Sequence, residues 1–171
     1  MLKYLIFILS LCFLIACGDN SEETTETDAG GCRFGEPVAL FQDSLAVVDS
    51  VSFMQEGRSG RELVFFNNRL QLELTQTGCE TLKQEFAFTI PMTNPTADGA
   101  FWIAQGEQLM RFLGNIDKDL VQFNEWANVI AQNMREMKLG EAKEVQTGYF
   151  VTVDKIESGE ETVVQVILEN Q

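Results

Sequence analysis

Histidine is missing from this chain altogether. Its absence removes Ser-His-Asp and Cys-His nucleophilic chemistry, zinc hydrolysis on an HExxH helix and imidazole proton transfer. Any catalysis would have to rest on carboxylates, lysine or tyrosine. Positive charge is also scarce, with 12 Lys and Arg against 26 Asp and Glu and a formal charge of −14. Nucleic acid is therefore not an expected partner, because phosphate binding needs clustered Lys and Arg. The same charge opposes direct docking on anionic lipid. Residues 4–16 form an apolar run broken only by Ser10. That run is too short to span a bilayer, which takes about 20 residues. With Lys3 ahead of it, the segment divides as a secretory signal peptide does, so residues 1–16 are set apart from the fold.

The apolar run closes on Leu14-Ile15-Ala16-Cys17, followed by Gly18-Asp19-Asn20. These residues resemble a bacterial lipobox. The resemblance implies cleavage before Cys17, lipidation of Cys17 and export as a membrane-anchored lipoprotein, expected at the outer membrane and facing the periplasm or the surface. An uncleaved signal anchor is the rival, and the small Ala16 speaks against it. Residues 17–31 carry five carboxylates and no large apolar side chain. Such a stretch cannot bury enough surface to offset its ordering entropy, so it reads as a disordered tether. Within it, Ser21-Glu22-Glu23 resembles the acidic export signal of Bacteroidetes surface lipoproteins. Given the acidic charge, the membrane contact falls to the acyl chains.

If Cys12 leaves with the signal and Cys17 carries lipid, Cys32 and Cys79 remain, in an oxidising compartment and with one pairing open to them. A disulfide between them would close a loop of about 47 residues, worth about 4 kcal/mol by chain entropy. Two Cys without a His leave a zinc site short of ligands. A catalytic Cys would lack its imidazole base. No metal or cofactor is expected.

Residues 32–171 are the length of one domain. Several segments alternate as strands do: 38–41, 45–54 with Val47, Val51 and Phe53 on one face and Asp49 interrupting, 62–66, 69–75 and 85–90. Asn67-Asn68 reads as a tight hairpin turn. The period then changes. Residues 101–113 read as a helix weakened by Gly106. Asp117 can cap a second helix running to about residue 139, with Gly140 closing it. Along that helix Leu120, Phe123, Ala127, Ile130, Met134 and Met137 form an apolar seam. Residues 146–154 and 162–168 flank Ser158-Gly159 as a C-terminal hairpin. The expected fold is α+β: an antiparallel sheet of about seven strands, with two helices inserted before the C-terminal hairpin.

Few residues single themselves out as a site. Asp117-x-Asp119 lacks the further ligands of a calcium loop and reads as a helix cap. Gly57-Arg58-Ser59-Gly60-Arg61 is the densest basic patch, and Arg58 and Arg61 are candidate partner contacts on a hairpin tip, as inhibitory loops present an Arg. Trp102 and Trp126 are candidate binding-surface residues, each with core packing as the alternative. Glu85, Glu107 and Glu125 could serve a glycosidase, but nothing fixes a separation between any two. The expectation is a non-catalytic envelope lipoprotein that binds a protein, glycan or apolar ligand. One alternative is a periplasmic inhibitor, similar to disulfide-stapled lysozyme or protease inhibitors in size and address only. The other is a carboxylate-dependent hydrolase.

Overall fold

Leu70, Leu72 and Leu74 alternate with Gln71, Glu73 and Thr75. In the computed structural model this period of two becomes strand β3 (Gln71–Thr77), with all three leucines buried. The structure describes residues 34–78, 81–91, 97–158 and 161–170. Residues 1–16 and 17–31, expected to be a signal segment and a tether, lie outside them, as do Cys17, Cys32 and Cys79. The remaining strands are β1 (Val48–Glu56), β2 (Ser59–Phe66), β4 (Leu82–Pro91), β5 (Lys143–Gln146), β6 (Tyr149–Ser158) and β7 (Glu161–Asn170). Together they form one seven-stranded sheet in the order β1-β2-β3-β4-β7-β6-β5, antiparallel at every pairing. Helices α1 (Gly99–Gly114) and α2 (Gln122–Asn133) lie between β4 and β5 in the chain. The fold is α+β.

One face of the sheet is apolar from strand to strand. Leu72 opposes Phe88, Phe88 opposes Val164, Leu74 opposes Phe86, Phe86 opposes Val166, and Val166 opposes Val153. All seven side chains are fully buried, and each contributes about 1.5–3 kcal/mol relative to exposure. Both helices cover this face. Gly106 explains how closely α1 approaches: a Cβ there would stand 2.9 Å from Val153 Cγ1 and 3.3 Å from Val166 Cγ2. The glycine that costs the helix about 1 kcal/mol in propensity is thus the residue that seats it on the sheet. From α2, Phe123 meets Phe86 edge to face at 5.3 Å. The seam on that helix is core: Phe123, Ala127 and Ile130 are buried, and Met134 packs against them.

Several elements differ from the sequence reading. Residues 38–41 are not a strand but a strap across β2 and β3. Leu40 and Phe41 donate their backbone N–H groups to Glu62, each at 2.9 Å, and Gln76 Nε2 donates to the Val38 carbonyl at 2.7 Å. The strap follows no neighbouring strand, so alternation alone could not have distinguished it. The bulge at Asp49 shifts the register between Val48 and Ser50, which accounts for the interrupted face of β1. At the β2–β3 turn the positive φ falls on Arg69 (68°), not on either Asn. The predicted helix 117–139 is broken. Asp117 caps a 3-10 turn (Lys118–Leu120) by accepting from the Asp119 N–H at 2.9 Å, and α2 ends at Asn133. Gly140, with φ of 76°, therefore closes no helix; its N–H donates to the Val153 carbonyl beside β6. Strand β5 was missed because its four residues show too little alternation to read.

A candidate ligand-binding cleft

Helix α2 turns Phe123, Ala127 and Ile130 toward the sheet, and this leaves Glu125, Trp126 and Val129 on its shoulder. Opposite stands the β5–β6 hairpin. Its register shifts between Glu144 and Gln146, leaving Val145 out of the pairing. The turn is tight: Gly148 has φ of 77°, a value that favours glycine, and its N–H donates to Glu144 Oε1 at 3.2 Å. Tyr149 follows directly. The shoulder and hairpin enclose an open cleft of about 320 Å³ lined by Glu125, Trp126, Val129, Val145, Gln146 and Tyr149. That volume lies at the lower end of the range for small-ligand pockets, about 300–1,000 Å³. Trp126 and Val129 are half-buried, and Tyr149 is 37% exposed.

Glu125 is the one charged residue in the lining, and among the described residues no ion pair engages it. Three basic side chains near α2, Lys143, Lys138 and Arg111, are committed elsewhere, while Arg135, just past the helix end, is exposed and does not line the cleft. Lys143 Nζ sits 2.5 Å from Glu136 Oε2, and its hydrogen bond holds that carboxyl below the usual range. Arg111 bridges Glu107 at 2.7 Å and Asn128 at 3.0 Å. The lining thus combines two aromatic rings, two aliphatic side chains, one amide and one unpaired carboxylate.

The sequence candidates scatter. Of the two tryptophans only Trp126 belongs to the cleft. Trp102 is withdrawn as a surface contact: it is 1% exposed, inside the core, with Lys155 Nζ 5.1 Å from its ring centroid. Arg58 does sit at the exposed β1–β2 tip. Arg61 does not join it. Three residues along β2, Arg61 grips Glu73 with two bonds of 2.7 and 2.8 Å. Of the three carboxylates considered for hydrolysis, Glu125 alone lines the cleft; Glu85 pairs with Lys83 and Glu107 with Arg111. Among the described residues no second carboxylate lines the cleft for acid/base work.

Tyr149, Gln146 and Val145 went unnoticed in the sequence because only the fold brings them to Trp126. The signal that existed was local, an aromatic directly after a turn glycine. Glu62 was also missed, although its signal was plain. It falls in phase with Val64 and Phe66, which places a carboxylate on the apolar face of β2. It is 0% exposed, and burial pushes its pKa up, partly offset by the N–H bonds from Leu40 and Phe41.

The chain matches no family model, no curated protein and no solved structure among those compared. The cleft must be read from its own residues.

Proposed function

We propose that this protein is a lipid-anchored, non-catalytic binding module of the bacterial cell envelope, and that it takes its ligand in the Trp126–Tyr149 cleft. The observation that carries the binding reading is the lining itself. Two aromatic side chains face an open cleft together with a carboxylate and an amide, where orientation-giving polar groups are few, as in most ligand pockets. A half-buried Trp costs apolar exposure unless something covers it, and Trp and Tyr are the residues most used as binding anchors. Against hydrolysis stand the absence of His and the single carboxylate in the cleft. The anchoring half of the proposal rests on the lipobox resemblance at Cys17.

A Cys32–Cys79 disulfide belongs to the same proposal. The described residues nearest to each, Phe34 and Gly78, line one small cavity, which supports the pairing. An inhibitor remains the second reading, favoured by the exposure of Arg58 at a hairpin tip.

The binding reading is tested by a fragment and saccharide screen, observed through the two indole N–H signals of the protein. Ligands should move one signal, the one lost in W126F. If no compound in the screen moves it, the cleft is not a ligand site. Binding that survives W126A but fails in R58S would instead favour the inhibitor reading.

A further inference from the structure

We infer that the cleft selects an organic cation bearing N–H donors, a lysine-type ammonium or an arginine-type guanidinium; this deepens the binding-module reading and rests on it. Four observations converge. The rings of Trp126 and Tyr149 line the cleft from opposite elements, α2 and β6, and an aromatic face attracts a cation through its quadrupole. Glu125 stands beside them with no ion-pair partner among the described residues. No Lys or Arg contributes to the lining, and the nearby Lys143 and Arg111 are already paired. Finally, the chain carries a net charge of −14, so the field that reaches an open cleft is negative and concentrates cations there.

The alternatives fit less well. An anionic ligand would bring a second negative charge against Glu125, which costs rather than gains. A neutral saccharide could stack on Trp126, but it asks for a fan of donors and acceptors. Here the lining offers one amide, one carboxylate, one phenol and the Trp126 indole N–H. A purely apolar ligand would make no use of Glu125. For a guanidinium, by contrast, each group has a role. The two oxygens of Glu125 match its paired N–H groups, the aromatic faces take its flat surface, and Val129 and Val145 take the aliphatic stem.

The test is a titration of the protein with N-acetyl-arginine amide and N-acetyl-lysine amide, each against its neutral isostere, the citrulline and ε-acetyl-lysine amides. The Trp126 indole N–H signal is the readout, and free n-pentylamine serves as a third probe. Weak, saturable binding of the cations is expected, at least about tenfold tighter than the isosteres. Affinity should fall as salt is raised. E125Q, a change on an exposed residue, should lose about tenfold for the cations and nothing for the isosteres, with its far-ultraviolet circular dichroism unchanged. Pentylamine binding as well as the lysine amide would assign the site to free amines, and preference for the amides would assign it to a peptide side chain. Equal binding of cation and isostere would overturn the inference while leaving the cleft a ligand site. Silence from both classes, with a neutral fragment still moving Trp126, would overturn it too. If nothing at all moves Trp126, the cleft reading itself fails.

Discussion

The two ends of the apolar sheet face are closed in opposite ways. Over β2 and β3 the cover is a strap of irregular backbone, residues 37–41, held by the buried side chains of Glu62 and Gln76. Pro37 lies so close to β2 that a Cβ on Gly60 would come within 2.6 Å of its own Cβ. Where residues 34–37, which lead into the strap, meet the end of β3, a recess of only about 30 Å³ is left. Over β6 and β7 the cover is apolar helix, fixed by Gly106 and by the α2 seam. Yet that end stays open at its rim, with about 320 Å³ beside Trp126. A backbone strap brings unsatisfied N–H groups, so it must be bonded down tightly. A helix satisfies its own backbone and can lean away at one shoulder. The larger of two openings therefore lies at the helical end; the other, of about 210 Å³, lies where Leu40, Gln42 and Leu45 meet the turn at residues 117–120. The two tryptophans repeat the contrast: Trp102 is sealed under α1, and Trp126 stands at the rim.

The contrast breaks most severely if the helical cover is forced off the sheet. G106L would drive a branched side chain into Val153 and Val166 and should destabilise the protein by about 3 kcal/mol, read from denaturant midpoints. At the other end, E62A would leave the Leu40 and Phe41 N–H groups buried and unpartnered. A loss of about 2 kcal/mol is expected, together with faster proteolysis within residues 34–47. W126A should cost little stability, under about 1 kcal/mol, since the ring is half in water. Its effect should instead fall on ligand affinity, which would separate a rim residue from a core residue of the same type.

The pH dependence of Glu62 sharpens the same comparison. Burial raises its pKa in the folded state above the ordinary glutamate value, near about 4.3. A raised folded pKa means that the native state holds the proton more tightly than the unfolded state. The stabilising contribution of the group is then full below the unfolded value and is lost as pH rises through the folded one. The stability of the wild-type protein relative to E62Q should accordingly decline from acid toward neutral pH. The smallest effect is expected from E73Q on the outer face. It removes the partner of Arg61, but that pair stands in solvent, and the thermal midpoint should not move measurably.

Much of the fold was legible because it depends on short-range periodicity. The leucines of β3, the alternating Phe86 and Phe88, and the α2 seam each declare a buried face within ten residues or so. What escaped were features set by long-range partners. Residues 38–41 look like a strand, and only Glu62 and Gln76, brought over from β2 and β3, make them a strap. Asp117 was read correctly as a cap, but nothing local showed that the helix would be a 3-10 turn followed by α2. The cleft was half legible. Trp126 was a named candidate, while its partners lie about 20 residues further on and reach it only because β5 is short and bulged. Trp102 failed as a surface candidate for the converse reason. A tryptophan at the start of a helix looks the same in sequence whether the sheet beneath it is present or absent.

One measurement bears most directly on the claim that the helical end is the open, ligand-taking end. The protein holds two tryptophans, so its indole N–H spectrum has two signals, and W126F assigns them. On titration with N-acetyl-arginine amide, the Trp126 signal should move and saturate while the Trp102 signal, buried with no hydrogen-bond partner for its Nε1 among the described residues, stays in place. A Trp126 signal that stays in place throughout, or a response carried by Trp102, would contradict the assignment of the cleft.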